Sequence, residues 1–344
     1  MNSRWRCGNP ERTLYGRNTM STTETPKPLP YSEHDKLGPI GVQTSALHDP
    51  AALRNALVRA FEAAAQDARA AVAASDKDAA SAVHSARKAL RRGRAILGLV
   101  AGALPKSERR AVRTALQDAR RALSTVRDHA VAPETLAELP LDEADRATAD
   151  RVIANAAEAL PAATEIKQLL AEGAARAAAQ AEALQAALPH DVDWDVLVDG
   201  LAETYGDARH ASAKRSRSWF HTWRRRSKEL VYQLELVAGH AGPRLTAIHS
   251  ELAGVTDTLG SAVDLIMLRD FVATYAQGLA PEAVERLRDT IDHHLDELMK
   301  TARKAARDAF HQKPRKLAKR ITKSVRRDLA PPDDANGAPE PHDD

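Results

Sequence analysis

One cysteine, Cys7, is all that a chain of 344 residues contains. It excludes a disulfide framework and a cysteine-based metal site. Aromatic residues make up only 4%, and runs of Val, Ile, Thr and Tyr are missing, so there is little from which to build a sheet. Nowhere do about 18 apolar residues run together, which excludes a membrane-spanning helix. The N-terminus carries arginines but no apolar run for a signal-peptide core, so the expectation is a soluble cytoplasmic protein with no membrane partner. A phosphate loop of the form G-x-x-x-x-G-K-[ST] is absent, as are the clustered carboxylates of a Mg²⁺ site. His293, His294 and His311 have no partners at ligand spacing, so neither a metal nor a cofactor is expected.

Abundant alanine favours helices. The length suits two domains, or one large duplicated one. Formal net charge is only +3, but the average hides a partition. From Glu134 to Asp207 acids prevail and the bases are Arg146, Arg151, Lys167 and Arg176. From Lys300 to Arg327 the only acid is Asp308. Segregated charge says more about partners than the net value does.

The strongest pattern lies in Lys214 to Tyr232. Wound as a helix at ~100° per residue, it places Lys214, Arg217, His221, Arg224, Arg225, Lys228 and Tyr232 on one stripe. Trp219, Trp223, Leu230 and Leu234 fall on an apolar stripe, and both tryptophans are expected in the core. An earlier segment repeats the cationic pattern. Lys77, Arg87, Lys88 and Arg91 stand at −7, +3, +4 and +7 from His84, as Lys214, Arg224, Arg225 and Lys228 do from His221. Downstream, Asp128 follows His84 by 44 residues and Asp264 follows His221 by 43. A large unit is therefore repeated at an offset of about 136 residues.

Between these marks the chain reads as helices. Residues 1–46 and 330–344 are expected to be disordered tails, the second acidic, and Met20 is an alternative start. Asp49-Pro50 caps a helix to about Ala74. Ser75 is the expected N-cap of the first histidine helix, which runs to about Gly102. A helix from Pro105 to about Ala130 carries a row of arginines. Pro133, Pro140 and Pro161 punctuate further helices to about Leu188. A short helix then leads to Gly206, and the second histidine helix spans about Asp207 to Gly239. Gly254 and Gly260 are expected to interrupt or loosen the helix opened by Pro243. Pro281 and Pro314 open two more. The fold expected is all-α: two pseudo-symmetric helical bundles, about 47–188 and 189–329, enclosing a basic channel or groove.

Like charges at i,i+4 cost a helix roughly 0.2–0.5 kcal/mol per pair, so an unmixed stripe needs a cause. Either acids from other helices pair with the bases, Asp128 and Asp264 being candidates, or the two stripes face a groove that receives a polyanion. The matched spacing favours the groove. Arg offers a planar fork for phosphate oxygens and Lys a compact charge. His donates one or two hydrogen bonds. Cations repeating every turn, about 5.4 Å, follow a linear anion better than a compact one. Asp128 and Asp264 are expected to orient arginines, not to act as acids. The Tyr232 hydroxyl could serve phosphate or Asp264.

H-x-x-R-K-x-x-R-R-x-R at His84 and H-x-x-R-R-x-x-K-x-x-x-Y at His221 resemble the CHAD family, the histidine-containing α-helical domain. R-D at Arg127-Asp128, L-G-x-x-x-D from Leu259 to Asp264, and K-P-R at Lys313 to Arg315 resemble it too. The similarity covers roughly 46–329. It implies a duplicated helical fold around a basic channel that binds inorganic polyphosphate, at polyphosphate granules and among other granule proteins. By motif position, His84, Arg87, Lys88, Arg91 and Arg94 would line one side. His221, Arg224, Arg225 and Lys228 would line the other, with Lys77, Lys214, Arg217, Lys313 and Arg315 as weaker candidates. Val263 stands where the first copy has Arg127, which suggests a local structural role for Arg127.

The reading is non-catalytic binding of polyphosphate. The family includes fusions to a triphosphatase domain marked by an E-x-E-x-K strand, which this chain lacks. The alternatives are a general polyanion or nucleic-acid binding protein, acting through the basic 303–327 segment, or an accessory subunit of an enzyme of polyphosphate or triphosphate metabolism. No nucleic-acid recognition motif is present and stacking aromatics are scarce, so nucleic acid is disfavoured.

Overall fold

A computed structural model describes residues 49–237 and 243–329 of the chain. The expected tails and the end of the second histidine helix at Gly239 lie outside these residues. Among the described residues there are eleven α-helices, one short 3₁₀ turn and no strand. The helices are α1 (Pro50–Ala74), α2 (Ala79–Leu99), α3 (Lys106–Ala122), α4 (Ser124–Ala137), α5 (Glu143–Ala157) and α6 (Ala163–Ala187). They continue as α7 (Trp194–Ser212), α8 (Arg217–Val237), α9 (Pro243–Thr274), α10 (Pro281–Ala309) and α11 (Pro314–Leu329). The all-α expectation holds.

Short polar residues set several starts. The Asp49 carboxylate accepts from the Ala51 amide at 2.8 Å, with Pro50 at the first helical position. Asp78 accepts from Ser81 at 3.0 Å and caps α2; Ser75, the expected cap, closes α1 instead. Asp142 and Asp193 cap α5 and α7 in the same way.

Elsewhere packing overrides local signals. The expected helix from Pro105 breaks at Leu123, which is fully buried. Pro133 lies inside α4 instead of ending it. Helix α7 runs past Gly206, and α9 runs unbroken through Gly254 and Gly260. Leu252, Val255, Leu259 and Ala262 give α9 a buried stripe across both glycines, and that burial outweighs their helix cost of about 1 kcal/mol each.

Helices α1, α2, α3 and α6 pack together, and α7 packs between α8 and α11. The two halves share one core. Helices α4 and α5 of the first half lie on α9 and α10 of the second, and α2 packs on both α7 and α8. A single apolar cluster extends from Leu53 to Val325. Two glycines permit the closest crossings. A Cβ on Gly200 of α7 would stand 2.2 Å from the Leu99 carbonyl oxygen at the end of α2. A Cβ on Gly98 would stand 2.7 Å from Glu229 Oε1. Beside it Gln233 Nε2 of α8 donates to the Ala95 carbonyl at 3.0 Å. These contacts lock α8 against α2 and bring the two histidine helices side by side.

Candidate functional site: a cationic cleft

Where α2 meets α8, the side chains that do not enter the core enclose a cleft of about 270 Å³. Helix α2 supplies Arg91 and Arg94, and α3 supplies Arg120. Helix α8 supplies His221, Thr222, Arg224, Arg225, Lys228, Glu229 and Tyr232. Val263 of α9 closes one wall. Six of these side chains are permanently cationic at neutral pH.

Acids act on several of them without pairing directly, Glu229 on Arg94, Asp264 on Arg224 and Asp257 on Lys228. Among the described residues, Arg91, Arg94, Arg120, Arg224, Arg225 and Lys228 form no ion pair. The one acid in the wall, Glu229, is held by Arg226 at 3.0 Å, and Arg226 also binds Asp207 at 2.7 Å. Buried polar atoms ordinarily find partners. Yet the Nε atoms of Arg94, Arg120 and Arg224 are buried with no acceptor among the described residues.

The electrostatic consequence is uniform. Burial, then repulsion from Arg91 and Arg94, pushes the Arg120 guanidinium down to about 10. Burial, then Arg91, pushes Arg224 down to about 10. Arg94, Arg225 and Lys228 are also lowered, burial again coming first. The folded protein therefore holds these cations at a cost, which a bound anion would offset.

Behind the cleft the pattern reverses. Burial works against the charge of Arg127, but Asp264 and Asp128 more than offset it, and its pKa is raised. Arg127 Nη1 reaches Asp128 at 3.2 Å, and Nη2 binds Asp264. The two aspartates that close the sequence repeats thus meet on one guanidinium, across the α4–α9 packing. Arg127 thereby ties α4 to α9.

The candidates read from sequence divide into three groups. Arg91, Arg94, His221, Arg224, Arg225 and Lys228 line the cleft, together with Tyr232. Tyr232 is buried, with the Lys228 ammonium 5.4 Å from its ring centre. His84, Arg87 and Lys88, one to two turns earlier on α2, do not line it. Arg87 is buried and donates to the Arg120 carbonyl at 2.8 Å; burial, then Arg91, pushes it down to about 9. It supports the wall from behind. His84 is exposed.

The third group lies off the expected stripes. Lys77 sits in the turn before Asp78, and Lys214 in the connection between α7 and α8, so neither belongs to its helix. Lys214 lies 5.9 Å from the ring centre of Trp219, which is exposed, against expectation, while Trp223 is buried as expected. Arg217 opens α8. Lys313 is exposed, and Arg315 pairs with Asp199 at 3.3 Å; neither touches the cleft. Arg120 and Thr222 are wall residues that the stripes did not single out. The signal for Arg120 was the arginine row of α3, whose facing only tertiary packing fixes. Among the described residues no group of three or more His, Cys, Asp or Glu side chains could hold a metal ion. No described helix is long and apolar enough to cross a membrane.

The profile of the CHAD domain family matches residues 55–273, which include every wall residue of the cleft. The chain belongs to the CHAD family. CHAD domains are known in polyphosphate-related proteins. Two solved structures share the fold. The crystal structure of the CHAD domain from the plant Ricinus communis is 19% identical, with a TM-score of 0.55; 75% of this chain and 91% of that one are covered. PptA from Streptomyces chartreusis is 17% identical, with a TM-score of 0.52; 75% of this chain and 99% of that one are covered. A search of curated proteins found no match. Helix α11 lies beyond the family match.

Proposed function

We propose that this CHAD protein binds inorganic polyphosphate in the cleft between α2, α3 and α8, without cleaving it, and associates with polyphosphate granules. One observation carries the reading: six cations from three helices converge without an ion pair among the described residues, and three of them bury a guanidinium Nε that has no acceptor there. A row of tetrahedral phosphates supplies many acceptors to such a wall. A cavity of about 270 Å³ suits a narrow linear anion. A nucleic-acid duplex, whose major groove alone is about 12 Å wide, does not fit inside it. Glu229, the one carboxylate in the wall, is already engaged by Arg226. That supports binding over hydrolysis, which needs a base free to activate water.

The test is a titration with tripolyphosphate and with long-chain polyphosphate, followed by an assay for released phosphate over the same period. Binding that weakens steeply with salt, and no release, is the expected result. Release of phosphate by the pure protein, lost in Glu229→Gln, would replace this reading with an enzymatic one.

A further inference from the structure

We propose that the outward face of α11, reached along the α7–α8 connection, is a second contact for long-chain polyphosphate, engaged only by polymers that extend out of the cleft. The inference rests on the polyphosphate reading of the cleft and adds discrimination by chain length.

Helix α11 spends its apolar side on α7, burying Leu317, Ala318, Ile321 and Val325. Its other side exposes Lys316, Lys319, Lys323 and Arg326. Lys316, Lys319 and Lys323 form no ion pair among the described residues. Arg315 does, with Asp199 at 3.3 Å. Like charges at helical spacing repel, and among the described side chains of α11 there is no acid to relieve them. The large apolar residues exposed among the described residues are Leu160 and Trp219, neither on α11. A cationic face without apolar anchors suits a dissolved polyanion better than a lipid surface.

A path joins this face to the cleft. His221 and Thr222, on the cleft wall, lie in the first turns of α8. Just before them Lys214 covers Trp219, and the ring of His210 on α7 meets Trp219 at 5.1 Å. Arg209 precedes His210. Arg209 and Arg320 of α11 both act on the hydroxyl of Tyr205, which donates to the Ala309 carbonyl at 3.1 Å and accepts from the Gln312 amide at 3.3 Å. Cationic groups thus stand at the start of α8, at the end of α7 and on α11, whose Pro314 lies 3.5 Å from where a Cβ on Gly206 of α7 would stand. Nearby acids of α7 are engaged, Asp207 by Arg226 and Asp199 by Arg315, while Glu203 acts on Arg226. A helix of 16 residues adds about 24 Å of track. A flexible polymer held in the cleft reaches that track at high effective concentration, and a short one does not.

The test compares wild type with Lys316→Glu/Lys319→Glu/Lys323→Glu, and with the milder Gln set at the same positions, each checked for helix content. Tripolyphosphate and long-chain polyphosphate are titrated at low and near-physiological salt. The Glu set is expected to weaken long-chain binding about tenfold or more and to flatten its salt dependence, with tripolyphosphate binding unchanged and the Gln set intermediate. Unchanged binding of both ligands overturns the inference and leaves the cleft reading standing. Equal weakening of both also overturns it, because the face would then act only through the general field. If wild type binds neither ligand, the cleft reading fails and this inference falls with it.

Discussion

Replacing Arg224 by Met should stabilise the unliganded protein and abolish most of the stabilisation that phosphate confers. The Arg224 guanidinium sits 3.8 Å from the position a Cβ on Gly260 would take, and its Nε has no acceptor among the described residues. Burial, and then Arg91, hold its pKa down at about 10, well below the ordinary guanidinium range. A guanidinium stays charged at neutral pH, so the depression is a penalty on the folded state. At 1.36 kcal/mol per pKa unit the ceiling is about 3 kcal/mol. Residual solvent contact screens it, and a gain of about 1–2 kcal/mol is expected. The sign follows from the folded value lying below the unfolded one. The penalty is complete at pH 7 and fades only as pH rises beyond about 10 towards the ordinary guanidinium value. Met keeps the aliphatic stem and drops the charge. Urea unfolding at pH 7, followed by helical circular dichroism, reads the effect. The midpoint should rise without phosphate and the slope stay unchanged. Tripolyphosphate should raise the wild-type midpoint by mass action and do little to the variant. A lower midpoint in phosphate-free buffer would refute the reasoning, because Arg224 would then hold the fold together.

Removing the other kind of arginine should do the opposite: Arg127→Met leaves Asp264, with only 14% of its side chain exposed, facing Asp128 without a counter-charge, and should cost about 3 kcal/mol in urea unfolding. Adding Asp264→Asn should recover part of that loss. Gly200→Ala would set a Cβ 2.2 Å from backbone at Leu99 and should cost about 2 kcal/mol or more, whereas Gly254→Ala, with open space around it, should gain about 0.5–1 kcal/mol. Lys228 is lowered by burial first; Asp257 and Glu235 oppose the shift, and Arg91 and Arg224 add to it. On the proposed reading polyphosphate binds the charged form, so affinity should fall as pH rises, earlier than an ordinary lysine would dictate, and Lys228→Arg should flatten that profile.

The helices and the cationic stripes were legible because both depend on spacing along one chain. Arg91, Arg94, Arg224, Arg225 and Lys228 repeat at helical intervals, and the structure places them on one wall system. Arg120 was hidden among the arginines of α3, since only the packing of α3 on α2 turns it towards the cleft. Lys77 and Lys214 share an offset from their histidines, but Asp78 caps α2 one residue after Lys77, and α8 begins only at Arg217. A spacing argument that assumes a continuous helix carries such residues onto a face they do not occupy. Pro133, Gly254 and Gly260 misled in the other direction, as local breaking signals overruled by burial of their neighbours. Glu229 carries no signal of its own in the sequence; its role as a paired acid in the wall needed Asp207 and Arg226 to be seen together.

The most direct test is competition. Labelled long-chain polyphosphate is bound to wild type and to Arg120→Gln/Arg224→Met, and displaced with unlabelled tripolyphosphate or with duplex and single-stranded DNA at near-physiological salt. The account predicts that tripolyphosphate displaces the label from the wild-type cleft, that DNA displaces it poorly, and that the double variant binds far more weakly. If DNA displaces the label as well as phosphate does, and the double variant binds like wild type, the cleft is not the site and its arginines need another explanation.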